Sequence, residues 1–233
     1  MNKKIIVITI SILIVIFIFI KFNKNIISDY ILTKLSKWTE LSVTSESVDI
    51  DFFKGKINLY GLEILNKSNF NDKNIFEVKK LTIEIEFSSL FSDLVKINKF
   101  ILNEPKFFFE IKDMNEKQKK KETIIDNIGL VEKIIEQSPP KIYPPKKRDK
   151  NFIILNLNIK NSKAFIRYPN SNKILTVNLS DMSFKNTGNA DYKQIKHSRH
   201  YKDVLRIIMG DIYFRIPDME LRKFLKEKYK IKY

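Results

Sequence analysis

Apolar and polar residues alternate along much of the chain between residues 53 and 111. Leu81, Ile83 and Ile85 fall on one side of the pattern, and Thr82 and Glu84 fall on the other. A period of two residues is typical of strands that have one apolar face. The pattern therefore predicts a sheet, and it leaves open whether its apolar face is a closed core or a lipid-binding surface.

The alternation changes phase at Tyr60 and Gly61. Leu59 is the last apolar position before this pair, and Leu62 is the first one after it. A β-bulge that inserts one residue would produce this change and would bend the strand. The sequence therefore predicts a curved sheet, and Pro105 predicts a second interruption, where strand pairing is broken.

Other stretches have apolar residues at spacings of three and four, which is typical of amphipathic helices. They are residues 26–41, 113–137 and 219–229, together with residues 201–216, where Gly210 predicts a break. Between them, residues 152–185 return to the strand pattern.

The N-terminus carries a run of sixteen uncharged residues, 5–20, between Lys4 and Lys21. A bilayer core takes about 20 apolar residues, and flanking lysines can extend their side chains to its surface. No small-residue cleavage pattern follows the run, so the sequence predicts an uncleaved transmembrane signal-anchor over residues 1–22. Lys3 and Lys4 favour an N-terminus inside the cell, with the bulk of the chain outside the cytoplasm.

These elements predict five parts: an anchor (1–22), a β-rich module (23–112), an amphipathic helix with a Pro/Lys-rich connector (113–150), further strands (151–190) and a helical segment (191–233). The predicted fold class is α+β. A transmembrane helix precedes a curved, groove-like, mainly antiparallel β-sheet on which a few amphipathic helices pack.

The composition adds a strong positive charge to this picture. The formal net charge is +16, and the chain has no cysteine. The charge predicts either a solvated surface or attraction to polyanions such as nucleic acid or anionic lipid head groups. The connector at residues 138–150 concentrates basic residues and leaves the same alternatives open. The absence of cysteine excludes disulfides, a thiolate nucleophile and a cysteine-ligated zinc.

Candidate chemistry is sparse. The two histidines, His197 and His200, are three residues apart, but no third metal ligand lies near them in the sequence. No phosphate-binding glycine loop and no nucleophile motif occurs. The sequence therefore predicts no catalytic residue, no metal site and no cofactor, and it favours a protein that is not an enzyme.

Three sequence patterns resemble the N-terminal module of the AsmA family, which includes TamB-like proteins of the bacterial envelope. Residues 53–66 read F-x-G-x-I-x-L-x-G-L-x-I-x-N, residues 88–91 read S-S-L-F, and residues 95–107 read V-x-I-x-x-F-x-L-x-x-P-x-F. Residues 175–188 look like the family's strand that ends before a glycine. The resemblance covers residues 1–110 and, more loosely, 150–190.

The resemblance implies a single-pass protein of the bacterial inner membrane, with most of the chain in the periplasm. It implies a role in phospholipid transport or in outer-membrane biogenesis and homeostasis through an apolar β-groove. The expected partners are membrane lipids and other envelope proteins, and not nucleic acid. The expected lipid-contacting residues of the groove are Ile57, Leu59, Leu81, Ile83, Ile85, Phe87, Phe107, Phe109, Leu155 and Leu157.

Two other functions stay open from the sequence. The first is a structural or assembly factor of the envelope that has no lipid cargo, because helices can cover the apolar face. The second is nucleic-acid binding, which rests on the charge alone.

Overall fold

The computed structural model describes residues 24–67, 70–111, 127, 151–168, 173–189 and 199–229. In chain order, their elements are α1 (Lys24–Thr39), β1 (Val43–Thr44), β2 (Ser47–Asp51), β3 (Lys56–Leu65), β4 (Asn74–Ile85), a 3₁₀ helix (Phe87–Phe91), β5 (Leu94–Glu110), β6 (Asn151–Lys160), β7 (Lys163–Arg167), β8 (Ile174–Asn178), β9 (Met182–Gly188), β10 (Arg199–His200), α2 (Tyr201–Arg215) and α3 (Met219–Tyr229).

All ten of these strands belong to one mixed sheet. β3, β4 and β5 form an antiparallel meander, but β5 pairs in parallel with both β6 and β7, and β9 pairs in parallel with β10. The prediction of an α+β fold with a mainly antiparallel sheet is therefore wrong, because the described residues form mainly a mixed β-sheet with few helices. Strand patterns do not encode direction, and the long connection from β5 to β6 permits the parallel pairing.

The predicted transmembrane helix is not part of the observed fold. Residues 1–22 lie outside the described residues, and no helix among residues 24–229 that the structure describes is long and apolar enough to cross a membrane. The predicted helix at residues 113–137 also lies outside them, apart from Asn127. The helices predicted at residues 26–41 and 219–229 are confirmed as α1 and α3.

A transverse line of irregular residues, here called the first crease, crosses the sheet. Tyr60 lies opposite Lys80 and Leu62 lies opposite Val78, so the register continues across it. The line passes through Gly61, Lys79, Glu104, Asn161 and Ser180. Gly61, Glu104 and Asn161 have positive φ angles of 55°, 53° and 54°. A single left-handed residue turns the side chains that follow it to the other face of the sheet, as it does in a bulge.

The sheet has five rows, here called strand lines: β3 with its preceding turn, β4, β5, β6 continued by β7, and β8 continued by β9. The second crease runs parallel to the first, six residues away from it on each strand line. It passes through Gly55, Ile85, Asn98, Leu155 and Asn186. Gly55 and Asn186 have positive φ angles of 61° and 53°. The five positive-φ residues of the sheet therefore all lie on two lines, and Glu40, the remaining one described, directly follows α1.

The creases explain the phase change predicted at Tyr60 and Gly61. The change is confirmed, since both Leu59 and Leu62 are buried on one face, but the predicted insertion of one residue is wrong. β4 changes phase at the same level, so that Val78 and Leu81 also share this face. At the first crease, matched phase changes in β3, β4 and β5 keep one face apolar without any shift of register, whereas the second crease includes a register shift between β4 and β5 at Ile85.

Pro105 does not break strand pairing as predicted. It is a buried residue within the continuous strand β5, opposite Val78. A proline cannot donate a backbone hydrogen bond, and it is tolerated where pairing is already irregular. Here it directly follows Glu104 on the first crease.

Three helices lie beside the sheet. α1 contacts β1 and β2, and its Ile31, Leu32 and Leu35 pack against the apolar residues of β3 and β4. α2 contacts β8 and β9, and it runs unbroken through Gly210, contrary to the prediction. A glycine in a helix costs only about 1 kcal/mol, and the buried side chains of α2 on both sides of Gly210 outweigh that cost.

Asp218 fixes the start of α3. Its Oδ1 accepts hydrogen bonds from the backbone N–H groups of Glu220 and Leu221, each at 3.0 Å, and its Oδ2 accepts one from the Tyr168 hydroxyl at 2.8 Å. These bonds, first of all the one from the Leu221 N–H, hold the pKa of Asp218 below 3.8. Burial, together with this hydrogen bond, raises the pKa of Tyr168 to about 12.

We expect an Asp218→Ala variant to lose about 1 kcal/mol of unfolding free energy at pH 7, because the helix cap is removed. Since folding lowers the pKa of Asp218, its charge stabilises the fold above pH 3.8, and this contribution is lost as the pH falls through the lower folded value. Denaturant unfolding of the wild type and the variant from pH 7 to pH 3 checks this. The difference in unfolding free energy between the two proteins should become smaller only at the acidic end of this range.

The control is Asp203→Ala, which removes an exposed ion pair with Arg206 on α2. It should change the unfolding free energy by less than about 1 kcal/mol at any pH. If the difference in unfolding free energy between the wild type and Asp218→Ala stayed constant down to pH 3, the role given to the charge of Asp218 would be contradicted.

Candidate lipid-binding face

One face of the sheet carries two apolar clusters. The first cluster contains buried residues of β3 and β4, among them Leu59 and Leu81, and α1 packs on it. The second cluster contains buried residues of β5 to β9, among them Phe109 and Leu157, together with the inner residues of α2 and α3. The phase changes at the two creases place all these residues on the same side.

A strip of half-buried residues on β5 joins the two clusters, and we call it the β5 strip. It consists of Ile97, Phe100, Leu102 and Phe107. Phe100 and Leu102 pack against both clusters. The strip therefore lies between the side covered by α1 and the side covered by α2 and α3.

Seven of the ten predicted groove residues lie in these clusters. Leu59, Leu81, Phe109 and Leu157 are buried, and Ile57, Ile83 and Phe107 are half-buried against them. The described part of the clusters does not include the other three. Ile85 and Leu155 lie on the second crease, and Phe87 is 39% exposed in the 3₁₀ helix at the end of the sheet.

The sequence prediction of the groove missed Ile97, Phe100 and Leu102. Strict alternation from Phe107 and Phe109 would place Phe100 and Leu102 on the opposite face, because they have the other parity. The crease at Glu104 reverses that assignment. The signal available in the sequence was the spacing of three residues between Ile97 and Phe100, which repeats the phase change seen at Gly61.

The opposite face of the sheet carries several ion pairs. Glu84 lies between two lysines, 3.9 Å from Lys56 Nζ and 2.9 Å from Lys99 Nζ. Glu77 pairs with Lys106 at 3.2 Å in the same way. Such pairs are partly exposed, and each contributes little stability. The opposite face is not purely polar, since the Phe108 ring stacks on Phe165 with centroids 5.1 Å apart, outside both clusters.

The structure offers no cluster for metal binding in the part of the chain that it describes. No group of three metal-ligating side chains occurs among these residues. His200 packs its ring against Tyr201 with centroids 4.6 Å apart, and His197 lies outside the described residues. An open depression beside α1 is lined by α1 and the turn into β1, and it does not adjoin the β5 strip.

No protein-family model matches the chain, and no curated protein matches it either.

Proposed function

We propose that this chain is a membrane-attached, AsmA-like protein of the bacterial cell envelope that holds lipid acyl chains on the apolar face of its sheet. It acts in phospholipid transport or outer-membrane homeostasis, without catalysis, and the bulk of the chain lies in the periplasm. The observation that carries the proposal is the half-buried β5 strip between the two helix-covered sides. The AsmA-like sequence patterns supply the envelope context.

The dimensions of the strip suit an acyl chain. β5 has 17 residues, and a strand rises about 3.3 Å per residue, so β5 is roughly 50 Å long. Fully covering a Phe or Leu side chain contributes about 1.5–3 kcal/mol. Phe100 and Leu102 are half-buried already, so an acyl chain on the strip would gain part of this.

The test places a photo-crosslinking benzoyl-phenylalanine at Phe100 in the full chain, produced in bacteria. We expect lipid adducts after illumination, because this ring lies on the β5 strip. The matched control carries the same group at Phe108, a half-buried phenylalanine of the same strand whose ring stacks on Phe165 at 5.1 Å, outside both clusters. Mass spectrometry of the purified protein measures the adducts. Equal labelling at the two positions, or none at either, would contradict lipid binding on this face.

A second candidate is a structural or assembly factor of the envelope that has no lipid cargo. It is favoured by the tight burial of Leu59 and Phe109, each 1% exposed among the chain's own side chains. The same experiment separates the two functions. Crosslinks from Phe100 to protein segments alone, with no lipid adduct, would favour the assembly factor.

A further inference from the structure

Four phenylalanines are exposed at one end of the sheet, which we call the aromatic end. Phe52 and Phe53 lie in the turn between β2 and β3, and they are 36% and 85% exposed. Phe87 and Phe91 lie in the 3₁₀ helix, and they are 39% and 92% exposed. Exposed apolar groups that cluster in this way mark interaction sites on proteins.

The second crease holds the two segments of the aromatic end together. The Ile85 N–H donates a hydrogen bond to the Gly55 carbonyl at 2.7 Å, directly before the 3₁₀ helix begins. A Cβ atom on Gly55 would lie 3.5 Å from the Phe87 ring. The two segments that carry the four phenylalanines therefore form one connected corner, and not two independent loops.

The course of α1 relates this end to the apolar N-terminal run. The Ser36 hydroxyl oxygen near the end of α1 accepts a hydrogen bond from the Val43 N–H at 2.9 Å, at the start of β1. α1 also contacts β2, which continues from β1 towards Phe52, so α1 runs back along these strands. Its first residue, Lys24, therefore lies on the side of the aromatic end. The sixteen uncharged residues 5–20 precede it closely in the sequence.

Two ion pairs lie at the aromatic end, where the exposed Asp93 also follows Phe91 closely in the sequence. Lys54 pairs with Asp51 at 3.6 Å, and Lys96 pairs with Glu86 at 3.6 Å. The end therefore offers exposed apolar rings beside largely paired charges. A partner for this end must accept exposed apolar rings and must also take up the apolar residues 5–20. A lipid bilayer can do both.

We propose that the aromatic end inserts its rings into the interface of the bilayer to which the N-terminal run attaches the chain. Phe91 and Phe87 enter the boundary between head groups and acyl chains. β5 then extends from the membrane surface into the surrounding solution. The near end of the β5 strip then lies close to the lipids that it would receive. This inference rests on the membrane attachment proposed above, and the experiment separates the two.

The test uses a single fluorescent label, because the chain has no cysteine of its own. The label is attached to a Phe91→Cys variant of the full chain, reconstituted into vesicles of phosphatidylethanolamine and phosphatidylglycerol. The matched control is Ile174→Cys, an exposed apolar site in β8. Ile174 pairs with Arg167, which pairs with Glu110 at the far end of β5, roughly 50 Å from the aromatic end. Doxyl-labelled lipids in the vesicles serve as quenchers.

We expect strong quenching and a blue-shifted emission for the label at position 91, and neither for the label at position 174. Flotation of both labelled proteins with the vesicles reports membrane attachment by itself. A chain that floats while the label at position 91 stays unquenched would overturn the insertion of the aromatic end and leave the attachment intact. A label that is shielded from water but unquenched by lipid would also overturn it, in favour of a protein contact.

Discussion

Replacing Gly55 by alanine is expected to lower the free energy of unfolding by about 3 kcal/mol, because two penalties add. Gly55 has a φ of +61°, which alanine adopts only with strain, and a Cβ atom there would lie 2.2 Å from the backbone oxygen of Ile85. This oxygen belongs to the end of β4 and cannot move away without breaking the second crease. Denaturant unfolding followed by circular dichroism measures the loss.

The matched control is Gly210→Ala in α2. A Cβ atom at Gly210 meets nothing within 4 Å, and the residue is helical. Alanine should therefore raise the unfolding free energy by about 0.5–1 kcal/mol, through its higher helix propensity. If Gly55→Ala were as mild as Gly210→Ala, the role assigned to Gly55 in connecting the aromatic end would be wrong.

Replacing Phe109 by alanine is expected to cost about 3–5 kcal/mol, because it empties a packed site. Phe109 is 1% exposed and stacks on Phe107 with ring centroids 6.4 Å apart. It belongs to the cluster that α2 and α3 cover, so the cavity would lie inside the fold. The measurement is again the unfolding free energy of the full chain.

Phe91→Ala is the control for Phe109→Ala, since Phe91 is 92% exposed. It should change the stability by less than about 0.5 kcal/mol. A neutral effect of Phe109→Ala would mean that this cluster is not a packed core, and that lipid or water can fill the space under α2 and α3.

The elements themselves could be predicted from the sequence, because each has its own periodicity. The helical spacing of residues 26–41 gave α1, and the alternation around Leu81 gave β4. The parallel pairing of β5 with β6 could not be predicted, since hydrophobic patterns do not depend on strand direction. Only the tertiary structure shows that β6 lies beside β5 and not beside β4.

The apolar face was predicted in part. Gly61 indicated the position of the first crease on β3, because glycine adopts positive φ angles readily. The same crease passes through Glu104 and Asn161, whose side chains give a weaker signal or none. As a result, the sequence placed Phe107 correctly beside Phe109 and overlooked Phe100. The continuity of the apolar face therefore follows from the creases, which depend on the alignment of strands far apart in the chain.

The six-residue spacing of the two creases also constrains how such a sheet can change length in evolution. If a residue were added to or deleted from one strand line between the creases, the irregular residues of that line would no longer align with those of the neighbouring lines. A complete additional strand line at the edge of the sheet could continue both creases if it had irregular residues at the same two positions. The existing strand lines would then keep their alignment. Length changes should therefore accumulate in the number of strands and in the connections, while the distance from Gly55 to Gly61 is retained.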